Sequence, residues 1–323
     1  MAELTKTAPA SGMENKSPSK GVGANTKHGI MSRRTKGDII FDTLNTIFMI
    51  IFTITILYPL LNMVAVSFND GLDALKGGIT LVPRVFTLKN YETVLGKQNM
   101  FTAARVSVLR TVIGTVSSTM VTALLAYILS RKEFLFKKQL SLLYVITMYV
   151  NGGLIPVFLV YKNLGLTNSF LVYVLPGLVP AFSMLVLRTY MNGLPDSLAE
   201  SAMMDGAGHL TIFIKIIFPL CMPVIATVAL FTAVGQWNSW FDAMLYNRMN
   251  GDLTTLQYEL MKLLSSVTNQ NSSADTMKNT QATVTPTSIR AAATVITSLP
   301  IIILYPFLQR YFVAGLTIGG VKE

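Results

Sequence analysis

Thiol and imidazole are nearly missing from this 323-residue chain: Cys221 is the one cysteine, and His28 and His209 are the two histidines. A single cysteine excludes an internal disulfide, and two scattered histidines do not complete a Cys/His ligand set, so no metal site is expected. Charge is sparse as well. Asp, Glu, Lys and Arg make up 13% of the residues, against roughly 25% in ordinary globular proteins. No carboxylate lies in the middle of a long apolar run; Asp38 and Asp42 stand at the mouth of the first. Carriers driven by protons or sodium keep ionisable groups at membrane depth, because those groups are the coupling machinery. A self-contained ion-coupled carrier is therefore the weaker alternative, and the driving force should reside in another subunit. A nucleotide loop is lacking too. Gly21-Val22-Gly23-Ala24-Asn25-Thr26-Lys27-His28 has Thr26 where a phosphate loop needs Gly and His28 where it needs Ser or Thr, and it follows no predicted strand. No catalysis, and no cofactor bound by this chain, is expected.

Apolar side chains are what the chain has in abundance: 51% of residues, with a mean hydropathy of +0.51. One compact core could not hide them all, so some must face lipid. Lys and Arg exceed Asp and Glu by 26 to 16, yet they sit between apolar runs instead of along one stripe, which argues against nucleic acid as a partner. Residues 1–38 are rich in Ser, Thr, Lys and Gly and read as a disordered basic tail. A secretory signal would carry a shorter apolar stretch nearer its start. The run over 39–68 is long enough for a membrane-spanning helix, since crossing ~30 Å of hydrocarbon takes about 20 helical residues. Five further spans are predicted at 104–129, 140–160, 170–190, 220–235 (continuing toward 240) and 289–312. Open sheet edges cannot be satisfied in lipid, so the fold class is all-α with six transmembrane helices. The basic tail and the loop carrying Arg131, Lys132, Lys137 and Lys138 fall on one side, which the positive-inside rule makes cytoplasmic. Both termini, a C-terminal tail at 313–323 and the segment 192–219 then face the cytoplasm. The loop inside 39–103 and the stretch 238–287 face outward.

The segment 194–219 carries the strongest local signal. Ser197 and Glu200 have capping-box spacing, which predicts a helix from Leu198. Gly206 can take the left-handed conformation that ends it. A second helix over 209–218 is closed by Pro219. The sequence Glu200-Ser201-Ala202, then Asp205-Gly206, then Ile216 and Phe218-Pro219 resembles the EAA loop of permease subunits from binding-protein-dependent ATP-binding cassette (ABC) importers. That pattern is Glu-Ala-Ala, three residues, Gly, and nine residues on an Ile, then Leu-Pro after one more. Ser201 and Phe218 depart from it while keeping a small and a large apolar contact. Ala126-Tyr127-Ile128-Leu129-Ser130-Arg131, Asn151-Gly152-Gly153-Leu154-Ile155-Pro156, Trp237-Asn238-Ser239-Trp240-Phe241 and Tyr305-Pro306-Phe307-Leu308-Gln309-Arg310-Tyr311-Phe312 extend the resemblance to the sugar-importer branch.

The resemblance implies a type I ABC importer permease fold over 104–312 in a bacterial cytoplasmic membrane. It implies a carbohydrate substrate, a second permease subunit, two ATPase subunits that bind ATP and Mg, and an extracytoplasmic solute-binding protein. It makes Glu200, Ser201, Ala202, Asp205, Gly206, Ile216 and Pro219 the ATPase-coupling loop. Because that loop does not encode substrate, an amino-acid or peptide permease is the alternative. Polar or aromatic groups that could meet a sugar are Asn62, Asn151, Gln236 and Trp237, with a membrane-interface belt the competing role for the tryptophan. Arg105, Arg110 and Arg290 are expected to snorkel to lipid headgroups, with contact to an acidic sugar or to the docked binding protein as the sharper alternative.

Overall fold

A computed structural model describes residues 35–96, 99–270 and 284–320. The expected disordered tail lies outside the described residues except for its last positions, and those already belong to a helix. Thr35 and Asp38 cap it reciprocally: the Thr35 amide donates to the Asp38 carboxylate at 2.8 Å and the Asp38 amide to the Thr35 hydroxyl at 3.3 Å. Helix α1 therefore runs Lys36–Ser67, starting before the apolar run does.

The chain divides into two compact units, 1–54 and 55–323. In the first, every side chain of α1 from Ile39 to Ile54 is exposed, as a helix bathed in lipid requires. Three of its threonines turn back on the backbone: the hydroxyls of Thr43, Thr46 and Thr53 donate to the carbonyls of Ile39, Asp42 and Met49 at 2.7 Å, which spares those hydroxyls the cost of an unpaired donor in hydrocarbon.

In the second unit, α1 is followed by a loop holding two short helices, α2 (Gly71–Leu75) and α3 (Lys89–Leu95). Two buried asparagines knit it. The Asn69 side-chain oxygen accepts from the Arg84 and Val85 amides, and the Asn90 amide donates to the Ser67 and Asn69 carbonyls, at 2.8–2.9 Å. Helix α4 (Met100–Ser130) is the central rod. Helices α5 (Lys137–Tyr149) and α6 (Leu154–Asn163) follow, and a 3-10 turn at Phe170–Tyr173 precedes α7 (Ala181–Asn192). Next come α8 (Ser197–Met204), α9 (His209–Leu220), α10 (Met222–Asn238), α11 (Phe241–Tyr246), α12 (Leu256–Gln270) and α13 (Pro286–Gly320). Among the described residues the sole strand-like pairing is an isolated bridge between Asn69 and Phe86.

Three helices can cross a membrane alone by length and composition: α1, α4 and the first part of α13, Pro286–Ile303. The pair α9 and α10, bent by 82°, adds a fourth. The third predicted span arrives in two pieces, broken where the Asn151 side chain accepts the Gly153 amide at 2.9 Å. The fourth, expected as one helix over 170–190, is not one. Pro176, Gly177 and Pro180 hold its middle non-helical, because proline supplies no amide and its ring clashes with the preceding turn. The stranded carbonyls of Gly177 and Leu178 accept instead from Ser118 and Thr122 of α4, at 3.0 and 3.2 Å. Irregular backbone is thus packed against protein that satisfies it. Below that break α4, α7, α9 and α10 share one core of Ala123, Ala126, Leu129, Met184, Leu187, Met191, Ile212, Ile217, Cys221 and Ile225. The alanines on α4 are the small side chains that let helix backbones approach closely.

Candidate functional site: a capped elbow and a polar cavity

Helix α8 starts one residue earlier than predicted, and the Ser197–Glu200 capping box does not form. Asp196 takes the cap position with its carbonyl, accepting from Ala199 and Glu200 at 3.0 and 3.1 Å, and no side chain caps the turn. Its carboxylate turns away to Lys132 at 2.5 Å. Lys132 holds the Asp196 carboxyl below its usual range, and Asp196 raises the Lys132 ammonium. The bond is lost only as pH falls below the carboxylate range or climbs past that of lysine. It ties the loop after α4 to the start of α8.

Ala199 and Ala202 face the core, while Glu200, Ser201, Met204 and Asp205 face out. Gly206 does end the helix left-handed, at φ 82°. The Gly206 amide donates to the Met203 carbonyl and the Ala207 amide to that of Ala202, both at 2.9 Å, the two bonds of a Schellman turn. Pro219 does not close the next helix. A π-turn over Phe213–Ile217, with the Phe218 amide reaching the Phe213 carbonyl, accommodates the missing proline N–H, and α9 continues to Leu220. Ile216 is half-buried and Pro219 exposed. The 82° bend at buried Cys221 then turns the chain directly into α10.

At its far end α10 meets a polar hub that sequence reasoning missed. Arg110 does not snorkel; it is 2% exposed. Its guanidinium grips Asp242 end-on, Nη1 to Oδ1 at 3.0 Å and Nη2 to Oδ2 at 2.5 Å. Its Nε and Nη2 also donate to the Gln236 side-chain oxygen at 3.1 and 2.9 Å, and it lies over the Tyr173 ring at 4.3 Å. Gln236 donates onward to the Tyr173 carbonyl at 3.1 Å. One buried charge thereby joins α4, α10, α11 and the 3-10 turn. The hub walls a cavity of about 400 Å³ that also takes in Tyr161, Ser183, Phe231 and Tyr246. Arg105 and Arg290 are exposed.

Of the four predicted substrate groups, the structure brings only Gln236 to this cavity. Asn62 donates to the Ile79 and Thr80 carbonyls at 2.7 and 2.9 Å, and Asn151 closes its own turn. Trp237 points to the opposite side, packed among Val94, Leu256 and Leu260, with its indole N–H on the Thr297 carbonyl at 3.0 Å. It is a buried core residue.

Gly114 is buried beneath Gln236. A β-carbon there would stand 2.9 Å from both the side-chain carbonyl carbon and the nitrogen of Gln236. Gly114→Ala should push that amide off Arg110 and lower thermal stability by about 1–3 kcal/mol, the range of an overpacked core. Gly114→Ala with Gln236→Ala, which removes the clash, should recover part of it; thermal unfolding of the three variants in detergent is the check.

The sequence matches the model of the family described as "binding-protein-dependent transport system inner membrane component" over residues 118–318. It is 34% identical over 286 residues to the polygalacturonan/rhamnogalacturonan transport system permease protein YtcP of Bacillus subtilis, covering 88% of this chain and 98% of that one. Protein LplC of the same organism is 36% identical over 291 residues, covering 89% and 97%. Among solved structures, a bacterial ABC transporter involved in the import of the acidic polysaccharide alginate superposes with a TM-score of 0.75 at 29% identity, covering 86% of this chain and 98% of that one.

Proposed function

We propose that this chain, which belongs to the binding-protein-dependent transport system inner membrane components, is the permease subunit through which an ABC importer carries an oligosaccharide across the bacterial cytoplasmic membrane. The observation that carries the proposal is the elbow: a short helix with a Schellman end, joined through one bend to a helix that reaches the cavity. Relatives that bear the names of polysaccharide transport systems support carbohydrate over amino acids or peptides.

In this proposal the outward face of α8, with Glu200, Ser201, Met204 and Asp205, lies in a groove on an ATPase subunit. ATP and Mg belong to that subunit, and this chain hydrolyses nothing. When the ATPase pair closes, α8 is carried with it. Ile212 and Ile217 of α9 share a core with Ile225 of α10, so the movement passes through the bend as one body. Gln236 and the hub at the far end of α10 shift, and the cavity exchanges access between the two sides. The ligands bias two states and do no local chemistry. A second permease subunit completes the pathway, and an extracytoplasmic binding protein delivers the sugar.

An in-frame deletion should abolish growth on one carbohydrate or a related group of them and spare growth on peptides. Loss confined to amino-acid or peptide uptake would overturn the substrate class. Six passes with both termini cytoplasmic predict that a cysteine at Ser272 reacts with an impermeant maleimide in intact cells and one at Ser19 does not. The reverse pattern would invert the topology.

A further inference from the structure

We infer that Asp242 is the group in this chain that reads sugar hydroxyls, that Arg110 is its positioning residue, and that the cavity they wall selects neutral sugar units over uronates. The inference rests on the carbohydrate-permease proposal above and concerns which sugars this half of the pathway accepts.

A buried arginine beside a cavity invites the opposite conclusion, that it binds a substrate carboxylate. The geometry closes that role. Arg110 is 2% exposed, whereas the Asp242 side chain is 23% exposed, so an entering ligand meets the carboxylate and not the guanidinium. All of the arginine's directions toward the hub are occupied, by Asp242, Gln236 and the Ser239 carbonyl. An incoming uronate would have to displace Asp242 and approach it at close range in a partly desolvated wall, where like charges repel most strongly.

What remains open is the complement of a hydroxyl. Asp242 Oδ1 is saturated, accepting from Arg110, the Ser239 hydroxyl at 3.0 Å and the Ala243 amide at 2.9 Å. Oδ2 accepts from Arg110 alone among the described residues and keeps a second lone-pair site. The Gln236 amide spends one of its two N–H groups on the Tyr173 carbonyl and keeps the other. Tyr161 and Tyr246, with rings 5.3 Å apart, line the same cavity, and each carries a phenol hydroxyl. One carboxylate acceptor, one amide donor and two amphoteric phenols match a sugar's hydroxyl groups, each of which both donates and accepts. Arg110 fixes the carboxylate's plane while taking no part in ligand contact.

The test uses the assembled transporter, purified through a tag on the full chain and placed in nanodiscs. Binding is measured for two disaccharides that differ in the carboxylates alone: 4-O-α-galactosyl-galactose and digalacturonate. The wild type should prefer the neutral sugar by about tenfold or more, the scale of one charge-assisted hydrogen bond gained or opposed. Asp242→Asn should weaken the neutral sugar and strengthen the acid, so that the ratio narrows or reverses. Tyr246→Phe removes one hydroxyl without touching the hub and should weaken the neutral sugar alone; Arg110→Lys should shift the ratio less than Asp242→Asn does. Equal or tighter binding of digalacturonate by the wild type, a ratio unmoved by Asp242→Asn and Tyr246→Phe, or no binding of either sugar would overturn the assignment. The permease proposal would stand or fall separately, on the growth phenotype of the deletion.

Discussion

Gly206→Val should reduce uptake to a small fraction of normal while leaving membrane insertion and assembly with the proposed permease partner intact. At φ 82° a residue with a β-carbon is strained by ~1–2 kcal/mol or more, and a β-branched one most of all. No atom lies within 4 Å of where that carbon would stand, so the strain is wholly in the backbone. The turn can relieve it only by giving up the bonds from Gly206 to Met203 and from Ala207 to Ala202, which set the angle between α8 and α9. Under the proposed coupling, an elbow with the wrong angle cannot seat on an ATPase and steer α10 together. A series should be graded by tolerance of the left-handed region: Asn mildest, Ala intermediate, Val worst. Glu200→Lys acts differently. It reverses a charge favourable to the start of α8, worth about 0.3–1 kcal/mol, and should release the ATPase subunit without unfolding the elbow. Uptake and the amount of co-purifying ATPase are measured together. Normal transport by Gly206→Val and Glu200→Lys at normal expression would remove the coupling assignment.

Asp242→Ala should be the most destabilising single truncation in the hub. It strands a guanidinium that is 2% exposed with no counter-charge, and breaking a buried pair from one side costs about 3–5 kcal/mol. The double variant Arg110→Met with Asp242→Ala removes both charges and should recover most of the loss, since much of the single-variant penalty is the unpaired cation. Thermal unfolding in detergent gives the cycle. A double variant no more stable than Asp242→Ala would show that the pair is not what joins α4 to α11.

How much of this was legible in the sequence follows from how local each feature is. Gly206 could be assigned because a left-handed helix end is a property of a few neighbouring residues. The start of α8 was misread for a tertiary reason: Lys132, far back in the chain, draws off the Asp196 carboxylate, and Ser197 is left inside the helix. Pro219 looked like a stop because nothing nearby reveals a π-turn that widens to receive it. The breakers of the fourth span were in view as Pro176, Gly177 and Pro180, but hydropathy reads them as part of a run that averages apolar. Their compensation, the hydroxyls of Ser118 and Thr122, sits on another helix. The hub was the least visible. Arg110 finds Gln236 and Asp242 more than a hundred residues later, and as a lone arginine near a helix end it is indistinguishable from one that snorkels. Trp237 erred the other way: an aromatic near a span end suggests a membrane interface until Thr297 is found accepting its N–H.

Cys221, the lone thiol of the chain, is fully buried where α9 turns into α10. Thiol-directed reagents therefore find nothing to modify in the resting protein, and a single introduced cysteine reports its own surroundings without background. The same seclusion makes the native sulfur a sensor of the bend itself. If turnover loosens the packing around this rigid junction enough to expose it, Cys221 will become alkylated at a rate that tracks the cycling of the transporter, with no substitution in the chain at all.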